Sequence, residues 1–289
     1  PWAVSLVLIA GPWISREALR DRSAMMKLGM SLLAMFAVIA ISAILQKLIP
    51  GTGIPARRKA VGAAAVLAAF PHTVADLPAA ARKRTIELAE VGVDPALFHS
   101  GEDDRPGPVS FLFAGRLVPY KCADVAVEAF ASSDVLKSCR MRIVGDGPEL
   151  ASLKEIARRH DAADRIEFLG RLDQQGVGRI MRESHIFAFP SIRELGAGVV
   201  VEAMACGLCC LVVDYGGPGG LVDASRGVKV PLSEKSLLVL RVREQMEQLA
   251  SDRVRIARLG AEARRYALAE YSWSAKAAKV LEAYRWVTG

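Results

Sequence analysis

From residue 108 onward the apolar positions fall into short continuous runs, separated by stretches in which they recur at helical spacing. The runs are "VSFLFAG" (109–115), "MRIVG" (141–145), "RIEFLG" (165–170), "HIFAFPS" (185–191) and "LCCLVVDYG" (208–216). The amphipathic stretches between them cover 121–131, 148–160, 173–184 and 198–206. These runs have the length of strands. Their alternation with helices predicts a Rossmann-like, doubly wound parallel sheet, so the expected fold class is α/β. Three further helical stretches, at 234–250, 252–269 and 273–287, close the chain.

Upstream the pattern is irregular. It offers an apolar strand in "PWAVSLVLIAGP", an uncharged helix of 18 residues at 28–45, a break at "PGTGIP", a short apolar segment "AVGAAAVLAAF" and a strand within "RTIELAEVGVD". Eighteen residues is near the lower limit for a bilayer span. The polar "SREALRDRSAMMK" before this helix and the regular alternation after it favour burial or membrane-surface contact over spanning. The charge, glycine and proline of "HSGEDDRPGP" (99–108) predict a linker. The expected organisation is a partial N-terminal α/β domain at 1–107, the sheet domain at 108–272 and a C-terminal helix at 273–289. Because the chain begins with Pro1, its natural N-terminus is expected upstream and no signal peptide is read into the opening residues.

Composition narrows the class. Hydrophobic residues at 52% against 24% charged exclude a disordered chain. A net charge of +7 permits attraction to anionic membrane surfaces or phosphorylated substrates. Basic residues are interspersed with acidic ones, without an aromatic-interleaved basic stripe, so nucleic acid is not an expected partner. Five cysteines, an odd number, argue against a disulfide framework and for a reducing compartment, giving a cytoplasmic expectation. Cys206, Cys209 and Cys210 have no histidine or second cysteine pair at ligand spacing, so packing is expected of them and no metal site.

In a doubly wound sheet, ligands lie beyond the carboxyl ends of the strands, which directs attention to the turns that follow them. "AGRLVPYK" brings Gly115, Arg116 and Lys121 to that edge, two cations suited to a diphosphate. "VGDGPEL" places Gly145 and Gly147 at a strand-to-helix junction, but the third glycine and the acidic residue of a dinucleotide fingerprint do not follow at the required spacing, which argues against a nicotinamide-dependent dehydrogenase. The most informative turn is "RELGAGVVVEAMACG" (193–207). The strand "HIFAFPS" should deliver Glu194 to the carboxyl edge, Gly196 and Gly198 can open a loop, and a helix beginning near Gly198 would offer unpaired amides to an anion. Glu202 falls about one turn inside that helix. The spacing suits a ligand with hydroxyls at both ends and a diphosphate between them.

"GRLVPYKCAD", "VGDGPEL", "FLGRL", "RELGAGVVVEAMACG" and "DYGGPGGLV", in this order, resemble the nucleotide-sugar-binding half of the retaining GT-B glycosyltransferases of family 4. "EVGVDPALF" (90–98) resembles the segment that leads into that half, and the resemblance covers roughly 71–289. It implies a GT-B fold with an incomplete acceptor-side N-terminal domain and a last helix that crosses back to it. It implies transfer of a sugar from a nucleotide-diphosphate donor to a glycan or lipid-linked acceptor, with peripheral contact at the inner face of the membrane as one possibility. Arg116 and Lys121 would hold the diphosphate and stabilise the leaving group, and Glu194 would contact the transferred sugar. Amides around Gly198 and Val199 would meet phosphate, Glu202 the ribose, and backbone near Arg171 and Leu172 the base. No cofactor or metal is implied. The chain departs from the pattern at Gly220, where a glutamate is common, and at Leu195 and Ala197, positions more often aromatic or glycine. The usual positioning histidine is not visible; His72 and His99 lie in the wrong context and are expected at the surface. A noncatalytic nucleotide-sugar-binding module stands as the alternative reading.

Overall fold

The computed structural model describes residues 6–8, 65–68, 74, 77–101, 105–194 and 196–288. The apolar stretch 28–45 and His72 lie outside these residues. The chain divides into two compact units, Pro1–Leu88 with Lys279–Gly289, and Ala89–Ala278.

In the smaller unit, strands β1 (Leu6–Leu8), β2 (Ala65–Ala68) and β3 (Thr85–Glu87) form a sheet in that order. β1 and β2 run antiparallel, β2 and β3 parallel. A short helix α1 (Ala79–Arg82) precedes β3, and Val66, Leu77 and Ala81 bury together.

The larger unit holds six parallel strands: β4 (Ser110–Ala114), β5 (Arg140–Val144), β6 (Ile166–Gly170), β7 (Ile186–Phe189), β8 (Cys209–Val213) and β9 (Gly227–Val230). Their spatial order is β6-β5-β4-β7-β8-β9. The five predicted strands are all present, and a sixth, β9, joins them. "GVKV" is four residues long and follows a charged turn, so nothing in its apolar content distinguishes it from a loop; pairing with β8 makes it a strand.

The helices are α2 (Ala123–Ala131), α3 (Leu150–Arg159), α4 (Gln174–Arg182), α5 (Gly198–Ala205), α6 (Gly216–Leu221), α7 (Lys235–Ala250), α8 (Arg253–Tyr271) and α9 (Trp273–Thr288). Every residue of β4, β7 and β8 is buried, as expected of strands covered on both faces. Phe111 packs edge-on to Phe130 of α2 with ring centroids 5.6 Å apart, and Phe187 stacks on Phe189 at 5.4 Å.

The expected linker at 99–108 falls inside the larger unit, and Arg105 fastens it there. Its guanidinium donates to the carbonyls of Arg182 at 2.9 Å, Cys206 at 2.7 Å and Gly207 at 3.2 Å. Burial lowers the Arg105 pKa from its ordinary value. All five cysteines are buried free thiols, with Cys206 and Cys209 pushed up to about 12 by desolvation, which keeps them protonated and inert.

Candidate active site

The strand order fixes where a ligand can sit. From β4 the chain builds outward through β5 and β6, then returns to place β7 on the other side of β4. In a doubly wound sheet, ligands bind in the crevice outside the carboxyl ends of the strands that flank this reversal, here β4 and β7. Both ends carry the residues singled out above.

After β4 the backbone passes through Gly115 and Arg116 into a 3-10 turn, Pro119–Lys121, and Cys122 takes a left-handed conformation at φ 52° that starts α2. This turn aims Lys121 across the crevice. Lys121 Nζ donates to Glu194 Oε1, and both side chains are 14% exposed. The same ammonium stands 5.3 Å above the Phe189 ring. Arg116 is exposed and donates to the Tyr120 hydroxyl.

Glu194 is held from three sides. Its Oε1 receives Lys121 and lies 3.0 Å from the Ser191 hydroxyl, itself fully buried and 3.2 Å from the Tyr120 carbonyl. Its backbone carbonyl accepts from the Gly217 amide at 3.1 Å. Gly216, at φ 58°, allows that grip, because a Cβ there would lie 2.8 Å from the Glu194 oxygen. Oε2 has no hydrogen-bond partner among the described residues.

Beyond Glu194 the loop turns into α5 through Ala197, whose φ of 46° is left-handed. No acceptor for the Gly198 or Val199 amide is present among the described residues. Glu202 is half-buried, its side chain has no partner among the described residues, and burial raises its pKa above the ordinary value.

Gly145 and Gly147 follow β5, where their lack of a side chain serves close packing between loops. A Cβ on Gly145 would lie 1.8 Å from the Gly115 oxygen, and one on Gly147 would lie 2.4 Å from the Leu117 oxygen. Gly145 N donates to the Gly170 carbonyl at 2.7 Å, which ties the β5 and β6 turns together. Arg171, exposed, and Leu172, half-buried, come next and lead into α4, which Asp173 caps by accepting from the Gly176 amide at 2.7 Å. His99 is exposed and contacts the Ser100 carbonyl at 2.9 Å. Tyr120 and Ser191 escaped the sequence reading. They act through a main-chain carbonyl and a buried hydroxyl contacting a residue 71 or 3 positions away, and no spacing announces that.

Residues 99–264, more than half of the chain, match the glycosyl transferases group 1 family. The chain belongs to that family. Among its relatives is the D-inositol 3-phosphate glycosyltransferase of Rhodococcus opacus, 31% identical over 224 residues, covering 70% of this chain and 48% of the relative. Another is the GDP-mannose-dependent monoacylated alpha-(1-6)-phosphatidylinositol monomannoside mannosyltransferase of Corynebacterium glutamicum, 31% identical over 167 residues, 55% of this chain and 42% of the relative. This group 1 chain thus spans about half the length of the curated relatives it matches. In fold it is similar to Anabaena HepE, solved in complex with UDP, with a TM-score of 0.66 and 20% identity over 79% of this chain and 67% of that one. The solved neighbours include glycosyltransferases of the GT-B fold, so the expected fold class holds. Among the described residues no helix is long and apolar enough to cross a membrane.

Proposed function

We propose that the larger unit is the donor-binding portion of a retaining glycosyltransferase, taking a nucleotide-diphosphate sugar into the crevice between β4 and β7. The observation that carries this reading is the Lys121–Glu194 pair, which sets a cation and a carboxylate side by side at the strand-order switch with α5 opening beside them.

In this reading the diphosphate lies between Arg116, Lys121 and the amides of Gly198 and Val199. These donors concentrate positive potential where negative charge grows on the departing nucleoside diphosphate, which lowers the barrier to cleavage of the sugar–phosphate bond. Glu194, oriented through Oε1, accepts a sugar hydroxyl at Oε2. Glu202 accepts the ribose hydroxyls, and the turn at Arg171 and Leu172 meets the base. A relative named for GDP-mannose and a structural neighbour holding UDP make UDP and GDP the first candidate nucleotides. Relatives named for inositol phosphate and phosphatidylinositol mannoside point to a polyol or lipid-linked polyol as acceptor.

The test is calorimetric titration of the chain with UDP, GDP and ADP, repeated with Glu202→Ala. One nucleotide is expected to bind, and the substitution to weaken it by about tenfold, the size of a lost charge-assisted hydrogen bond. Absence of binding to all three contradicts the reading.

A further inference from the structure

The loop that follows Glu194 is not supported by its own strand alone. The chain passes into the larger unit through residues 89–93 and out of it through 271–276, and these two segments are fastened to each other. Val93 pairs in parallel with Ser272, the Val93 amide donates to the Tyr271 carbonyl at 2.8 Å, and the Trp273 amide donates to the Val93 carbonyl at 3.3 Å. Lys276, 7% exposed, donates its ammonium to the carbonyl of Ala89 and, at 2.7 Å, to that of Val91. Gly92 lies flat on the Trp273 indole, where a Cβ would come within 2.8 Å of the ring.

So held, the 89–93 segment presses on the loop. A Cβ on Gly196 would lie 2.4 Å from Val91 Cγ1 and 3.3 Å from Glu90 Oε1, and one on Gly198 would lie 3.7 Å from the same Val91 methyl. Val91 therefore occupies the space a side chain at 196 would take and touches the backbone that supplies the first amides of α5. Packed interfaces shift between discrete arrangements and do not deform continuously. A displacement of the 89–93 segment is thus transmitted to those amides.

We propose that Val91, tethered through Lys276, is a positioning residue for the donor loop: it sets the Gly196–Gly198 backbone and couples nucleotide binding to the segments by which the chain passes into and out of this unit. This rests on the proposed role of the loop in holding the donor diphosphate. The coupling is reciprocal, so a nucleotide that orders the loop also steadies the 89–93 segment.

Amide hydrogen exchange and titration with UDP, GDP and ADP test it on wild type, Val91→Ala, Gly196→Ala and the double variant. Val91→Ala is expected to speed exchange at 196–200 by about tenfold while β4 and β8 exchange as in wild type, a local loosening that a general loss of stability would not give. Gly196→Ala is expected to weaken nucleotide binding, and adding Val91→Ala to restore about threefold or more of that loss, a non-additivity that marks direct contact. Lys276→Met is expected to speed exchange at the same amides. Failure of the wild-type chain to bind any of the three nucleotides overturns the donor reading of the loop. Unchanged exchange at 196–200 in Val91→Ala, or an additive pair in a chain that does bind nucleotide, overturns the positioning role alone.

Discussion

Lys121 and Glu194 form an ion pair across the switch between β4 and β7, with Phe189 beneath the ammonium and Ser191 beside the carboxylate. Each is largely withdrawn from water, so removing either leaves a charge with less solvation than it would have in the unfolded chain. Lys121→Met and Glu194→Gln are each expected to lower stability by about 1–3 kcal/mol, and the double variant by less than their sum. Urea denaturation of the four proteins gives the coupling directly. Full additivity would mean the two groups do not interact.

Ala197 adopts φ 46°, a conformation that costs an alanine more than a glycine. Ala197→Gly is expected to raise stability by about 0.5–1 kcal/mol, since relief of that strain exceeds the extra freedom glycine gains in the unfolded chain. The shift in urea midpoint is the measurement.

Two glycines should respond oppositely to alanine. A Cβ on Gly145 would collide with the Gly115 oxygen at 1.8 Å, whereas one on Gly220 meets nothing within 4 Å. Gly145→Ala is expected to cost about 3 kcal/mol or more through backbone displacement. Gly220→Ala, inside α6, is expected to be neutral or stabilising by up to about 1 kcal/mol. Paired thermal denaturation compares them.

Burial raises the Glu202 pKa above its ordinary value of 4.5. The folded state then binds this proton more tightly than the unfolded state does, so the contribution is fully favourable below the unfolded pKa and is lost as pH rises through the folded one. At pH 7, above the unfolded pKa, burying this carboxyl therefore costs folding free energy. Glu202→Gln is expected to be more stable than wild type at pH 7, with the gap closing toward pH 4, and to bind nucleotide less well. Denaturation at both pH values checks the sign.

Much of this was legible in the amino-acid order, for physical reasons that also explain the gaps. Apart from α6, the helices from 123 to 288 keep a helical apolar period, and β4, β7 and β8 are continuous apolar runs, so both signals survive in a single sequence. α6, written "GGPGGL", carries residues that disfavour helix, and its start is fixed by the Gly217 amide donating to the Glu194 carbonyl, with Gly216 leaving room for that contact. The positions of Arg116, Lys121 and Glu194 at one sheet edge follow from strand order. Their pairing does not, because it depends on the 3-10 turn at Pro119–Lys121 and the left-handed Cys122. Val91 was visible only as part of a connecting segment, since its contact with Gly196 joins positions 105 residues apart.

The central claim is that the two carboxylates divide one donor, Glu194 reading the sugar and Glu202 the nucleoside. Its most direct test compares binding of the preferred nucleoside diphosphate with binding of its sugar conjugate, in wild type, Glu194→Ala and Glu202→Ala. The account predicts that Glu194→Ala abolishes the extra affinity contributed by the sugar while leaving the nucleoside diphosphate bound as well as before or better, and that Glu202→Ala weakens both ligands alike. An unchanged sugar increment in Glu194→Ala would contradict it.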